Sequence, residues 1–66
     1  MADKIWFIRR NNKPIAAFGS KLEAKEEYEE LVENDFDDNF RLYNILVDDI
    51  EEYEDEMSLA EEEGLI

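Results

Sequence analysis

Lys4-Ile5-Trp6-Phe7-Ile8-Arg9-Arg10-Asn11-Asn12-Lys13-Pro14-Ile15-Ala16-Ala17-Phe18 is the stretch that decides the fold. Lys4 to Arg9 is rich in β-branched and aromatic residues, Pro14 to Phe18 makes a second apolar run, and Asn11-Asn12 stands between them. A two-residue hairpin loop needs positive φ at both positions, which asparagine tolerates better than most residues. The stretch therefore predicts a β-hairpin within residues 1–19. With Asn11 and Asn12 as the loop, Arg10 pairs with Lys13, Ile8 faces Ile15, Phe7 faces Ala16, Trp6 faces Ala17 and Ile5 faces Phe18. One face then presents Ile5, Phe7, Ala16 and Phe18, the other Trp6, Ile8, Ile15 and Ala17. Both are apolar, so a single covering helix would leave one of them wet. Pro14 lacks a ladder donor and reads as part of an edge strand.

Beyond the hairpin, Ser20-Lys21-Leu22-Glu23 fits a capping box, in which a serine hydroxyl and a glutamate carboxylate satisfy backbone donors at a helix start. A helix follows over residues 20–34. Ala24, Tyr28, Leu31 and Val32 share one face of it at i, i+4, i+7, i+8 spacing, and that face is expected on the Phe7 and Phe18 side of the hairpin. Asn34 to Asn39 is turn chemistry. Phe40-Arg41-Leu42-Tyr43-Asn44-Ile45-Leu46-Val47 has strand composition, yet Phe36, Phe40, Tyr43, Val47, Ile50 and Met57 also recur at alternating four- and three-residue steps, broken at Glu54. The strand is preferred, over residues 40–48, because a third strand stabilises a hairpin that would be marginal alone. Ile50, Tyr53, Met57 and Ala60 then trace a helical face within an acidic helix over residues 49–62, with Gly64 as its stop. The expected architecture is α+β in one domain, residues 1–66: a small antiparallel sheet of hairpin plus third strand, one packed helix, and an acidic C-terminal helix with a frayed end.

Sixty-six residues bury little surface, and the chain has neither cysteine nor histidine. Disulfides and the usual structural zinc sites are thus excluded, which leaves self-association as the common supplement to a small core. A homodimer is expected, with Trp6, Ile8 and Ile15 as the residues buried between subunits. No stretch has the pattern of a secretory signal or the length of a membrane span, and a soluble protein of the cytoplasm is expected. With 44% hydrophobic residues, the chain carries more apolar side chains than a purely solvating acidic tail.

Charge is strongly polarised along the sequence. Residues 1–22 hold five basic residues and one acid, a net of +4; the remainder holds two and nineteen, a net of −17, within a total of −13. Such a field attracts basic surfaces and repels nucleic acid and anionic lipid. Lys4, Arg9, Arg10, Lys13 and Lys21 do cluster near Trp6 and Phe7, as a base-stacking platform would require. Against that background they are better read as partners for acids of the same chain or a dimer mate.

Chemistry-bearing patterns are few. Asp35, Asp37 and Asn39 imitate the first, third and fifth positions of a calcium loop, but Phe40 stands where the glycine belongs and Leu46 where the bidentate glutamate belongs. No metal or other cofactor is expected. Ser20 and Ser58 have no histidine base, and so short a chain has little wall with which to hold a carboxylate pair in a cleft, so catalysis is not expected either. What remains is the run from Asp48 to Glu63, with ten acids in sixteen residues. On a continuous helix that is one charge per ~2.4 Å, against one per ~1.7 Å for duplex DNA. Crowding like charges costs up to ~0.5 kcal/mol per i, i+4 pair, so folding alone does not call for them. The alternative is an acidic face that serves solubility only.

The hairpin turning at Asn11-Asn12-Lys13-Pro14-Ile15, the helix opening at Phe18-Gly19-Ser20-Lys21-Leu22-Glu23-Ala24 and the acidic ending together resemble small early proteins of tailed bacteriophages. Among these the chain is similar to the phage-encoded DNA mimics that inhibit the bacterial histone-like protein HU. The resemblance implies a folded, dimeric inhibitor that covers a host nucleoid-associated protein's DNA-binding surface and displaces DNA, in a form of host takeover. Asp37, Asp38, Asp48, Asp49, Glu51, Glu52, Glu54, Asp55 and Glu56 would then stand in for phosphates. The competing reading is a phage adaptor that grips a nuclease, restriction or CRISPR factor through an apolar sheet face.

Overall fold

The computed structural model describes residues 4–35 and 37–66. Residues 1–3, at the start of the expected hairpin, and Phe36, in the four-and-three series, lie outside them. In chain order the elements are β1 (Lys4–Arg10), β2 (Lys13–Phe18), α1 (Lys21–Asn34), β3 (Phe40–Leu46), a 3-10 helix (Val47–Glu52) and α2 (Glu54–Glu62). They form an α+β fold around a three-stranded antiparallel sheet in the order β2-β1-β3. Residues 40–46 are a strand, as expected, and β1 lies at the centre. Pro14 sits in an edge strand, where its missing donor is harmless.

The hairpin turns where the asparagines require it, with φ of 50° at Asn11 and 70° at Asn12. Arg10 faces Lys13 as expected, but the register then slips. Arg9 pairs with Pro14 and Ile8 with Ala16, so Ile15 is an extra residue in β2, a β-bulge beside the proline. Beyond it Phe7 faces Ala17 and Trp6 faces Phe18, which corrects the pairings expected for Ile5 to Ile8. A one-residue shift moves a whole strand to the opposite face, so Phe7 and Phe18 lie on opposite sides of the sheet.

Both apolar faces are covered within one chain. Ile5, Phe7, Ala17 and Ile45 pack with Ile50 and Ala60, flanked by Tyr43, Val47, Met57, Leu59 and Leu65; the 3-10 helix and α2 close this side. The alternation of β1 and β3 puts Trp6, Ile8, Phe40 and Leu42 on the other side with α1, whose Ala24 is fully buried. The expectation of one packed helix is therefore corrected to two helical layers, and α1 covers the Trp6 and Ile8 face instead of the Phe7 face. Ile8 is 0% exposed in the single chain and has no surface to offer a second subunit. Trp6 is partly buried, with the Lys21 ammonium 5.7 Å from its ring centre; of the three residues expected between subunits only Ile15 is exposed.

The helix ends follow their local chemistry. Ser20 caps α1, its Oγ accepting from the Glu23 backbone N–H at 3.3 Å. At the end of α2, Gly64 takes φ 74°, the Leu65 N–H donates to the Ala60 carbonyl at 2.8 Å and the Gly64 N–H to the Glu61 carbonyl at 3.1 Å. This is a Schellman motif, and it folds Leu65 back onto the core, so the end expected to fray is fastened. Gly64→Ala is expected to cost about 1 kcal/mol, because a Cβ opposes the left-handed backbone even where space is open. Thermal denaturation should register a fall of roughly 4–8 °C.

The acidic segment is not one helix over residues 49–62. Val47-Asp48-Asp49-Ile50-Glu51-Glu52-Tyr53 repeats an apolar residue and a polar pair every three positions, which is the period of a 3-10 helix and not of an α-helix. Tyr53, at φ −120° and ψ 82°, breaks the chain between the 3-10 helix and α2. The break turns Tyr53 outward, 43% exposed, where a continuous helical face had placed it inward.

Candidate functional site

Period three arranges the carboxylates of the 3-10 helix in columns. Val47 and Ile50 form the inward column, with Ile50 buried, while Asp48 above Glu51 and Asp49 above Glu52 form two exposed outer columns. At ~2.0 Å per residue, the members of each column are about 6 Å apart along the axis. Glu54 and Asp55 extend the exposed acids into the first turn of α2, where the helix dipole favours negative charge. No lysine or arginine follows Arg41 in the sequence, and the one basic residue that the sheet register brings to the start of this segment is Lys4, opposite Leu46. Asp37 is exposed as well.

Two of the residues expected to contact a partner are occupied within the chain. Glu56 is 5% exposed, and its Oε2 accepts from Arg9 Nη2 at 3.3 Å and from the Tyr43 hydroxyl at 3.1 Å. It cannot stand in for a phosphate, because it already neutralises a basic side chain in the interior. Asp38 is partly buried and pairs with Arg10 Nη2 at 2.6 Å, with a longer contact from Asn11 Nδ2 at 3.4 Å. The contact set therefore shortens to Asp37, Asp48, Asp49, Glu51, Glu52, Glu54 and Asp55. Residues of the supposed calcium loop take other parts, since Phe40 and Leu46 both belong to β3, whose extended backbone cannot coil around an ion.

The Glu56 cluster was not expected, because its members come from distant parts of the chain. Alternation on β1 and β3 sets Phe7 opposite Tyr43 on the α2 face, with rings stacked at 5.7 Å, and Arg9 is on the same face. The Arg9 guanidinium lies 4.9 Å from the Tyr43 ring centre, a cation–π contact that completes the stack. Burial opposes the charge on Arg9, but Tyr43 and Glu56 outweigh it and hold its pKa above the ordinary value. Burial first, and then the Glu56 carboxylate, push the Tyr43 phenol up to about 12.

This shift has a definite sign in stability. A phenol whose folded pKa exceeds its unfolded value of about 10 favours folding in the neutral form. That contribution is complete below pH ~10 and is lost as pH rises through about 12. Tyrosinate absorbance should thus show a late fraction near pH 12, which Tyr43→Phe removes. Ionisation of Tyr43 near pH 10 would contradict the buried arrangement.

Two other basic residues near the aromatics are engaged in a similar way. Arg10 lies 6.0 Å from the Phe40 ring centre while pairing with Asp38, and Lys21 lies over Trp6. Among the described residues no helix is long and apolar enough to cross a membrane. Comparison with protein-family models, with curated proteins and with solved structures finds no match to this chain.

Proposed function

We propose that this protein is a DNA mimic that binds the basic DNA-binding surface of a host nucleoid-associated protein of the HU type and displaces DNA from it. The observation that carries the reading is the pair of exposed carboxylate columns, Asp48 with Glu51 and Asp49 with Glu52, continued by Glu54 and Asp55. They ride on a segment whose backbone is anchored by buried Ile50, which lowers the ordering cost of binding. Further acids on α1, including Glu26–Glu30 and Glu29–Glu33 at i, i+4, repel one another at a cost to the helix, which favours a use beyond folding. The resemblance in layout to phage inhibitors of HU supports the same reading and implies action in the bacterial cytoplasm. The long axis of the molecule, 33 Å, limits its footprint to about one turn of duplex, ~34–36 Å.

The adaptor reading needs an apolar sheet face, and Ile5, Phe7 and Ile8 are buried under helices on both sides. Mimicry needs only the exposed acids. Capture from bacterial lysate on the immobilised protein, followed by mass spectrometry, should enrich basic DNA-binding proteins, and raised salt should release them. A salt-resistant partner with no DNA-binding surface would overturn the proposal.

A further inference from the structure

Arg9 and Arg41 stand directly opposite each other in the β1–β3 ladder, an arrangement that sets like charges side by side and disfavours the pairing. With Asn12 and Asn39 they line a cavity of about 100 Å³ at the hairpin end of the sheet. Among the described residues no carboxylate lines it. Glu56 engages Nη2 of Arg9, yet Arg9 Nε is buried with no hydrogen-bond partner among the described residues. Arg41 is exposed and makes no ion pair among the described residues.

The walls are held in place. The Asn11 N–H donates to the Asn39 carbonyl at 2.9 Å, and Asn11 Oδ1 accepts from the Asn39 N–H at 3.1 Å, so the hairpin turn is tied to the start of β3. Asn12 follows in the left-handed region, at φ 70°. Guanidinium groups offer only donors, and asparagine amides add more, so the lining is chemically matched to an acceptor with several oxygens.

We propose that this cup binds a single phosphate ion. The volume is enough for one oxyanion. A bound anion relieves the Arg9–Arg41 repulsion and supplies charge-assisted bonds to both guanidinium groups. The site is independent of the acidic surface and does not rest on DNA mimicry. The total charge of −13 opposes any anion at long range, so affinity should be modest and should improve as salt screens that field.

The test is a titration of the intact protein with inorganic phosphate, followed by nuclear magnetic resonance of the arginine Nε–H and asparagine amide groups. Chloride at matched ionic strength is the control, and acetate shows whether a planar carboxylate substitutes. Saturable shifts at Arg9, Arg41, Asn12 and Asn39 are expected with phosphate and not with chloride. Arg41→Gln, at an exposed residue with no ion pair, should weaken binding about tenfold or more while the spectrum stays folded. Asn12→Gly, which keeps the left-handed turn while deleting the amide, should weaken it less. Equal shifts with chloride, phosphate binding unchanged in Arg41→Gln, or no response to phosphate would each overturn the assignment.

Discussion

Replacing Glu56 with alanine is expected to lower stability by about 2–4 kcal/mol, a large part of what a domain of this size possesses. The change strands two groups together, because Glu56 Oε2 is the acceptor for both Arg9 and the Tyr43 hydroxyl. An unpaired buried donor costs about 1–3 kcal/mol, and more when it is charged. Arg9 remains partly exposed, which lets water recover some of that loss and keeps the estimate below the full penalty for a buried pair. Glu56→Gln keeps an acceptor oxygen in place and should cost less. The combined change Arg9→Met, Tyr43→Phe and Glu56→Leu removes every polar partner at once, and should recover much of the stability lost in Glu56→Ala. Urea denaturation of this series checks the claim. A Glu56→Ala protein within about 0.5 kcal/mol of the parent would show that the carboxylate is solvated and free.

That cluster also marks where the sequence stops being legible. Asn11-Asn12, Ser20 and Gly64 announced a turn, a cap and a stop, because each acts on neighbours a few positions away. Pro14 announced an edge strand, but not that its hairpin would absorb Ile15 as a bulge and carry Phe18 to the opposite face from Phe7. The period of three from Val47 to Tyr53 was present in the sequence and is the signal for a 3-10 helix, although a helical face through Ile50, Tyr53, Met57 and Ala60 competes with it. Nothing local distinguishes Glu56 from Glu54 or Asp55. Its burial depends on Arg9 and Tyr43, 47 and 13 positions away, which meet it only once the sheet has formed. The covering of the Phe7 side was hidden for the same reason, since the residues that cover it come from the far end of the chain.

The acidic surface carries the second large expected effect. Changing Asp48, Asp49, Glu51, Glu52, Glu54 and Asp55 to their amides should weaken binding to a basic DNA-binding partner roughly 100-fold, at about 0.5 kcal/mol for each exposed pair lost. Association should slow as well, since complementary fields steer encounter. Folding should change little. Relief of repulsion within the 3-10 columns is offset by loss of the favourable charges at the start of α2. Glu26, Glu27 and Glu30 on α1, changed to glutamine, remove half as many charges away from this segment and should matter less.

Displacement of DNA from purified HU, measured by fluorescence anisotropy of a labelled duplex at several salt concentrations, tests the proposed mimicry most directly. The parent protein should release the duplex at stoichiometric ratios at low salt and lose potency steeply as salt rises, while the six-amide variant, folded by circular dichroism, should release little. Equal release by the parent and the folded six-amide variant, or no release by either, would contradict it.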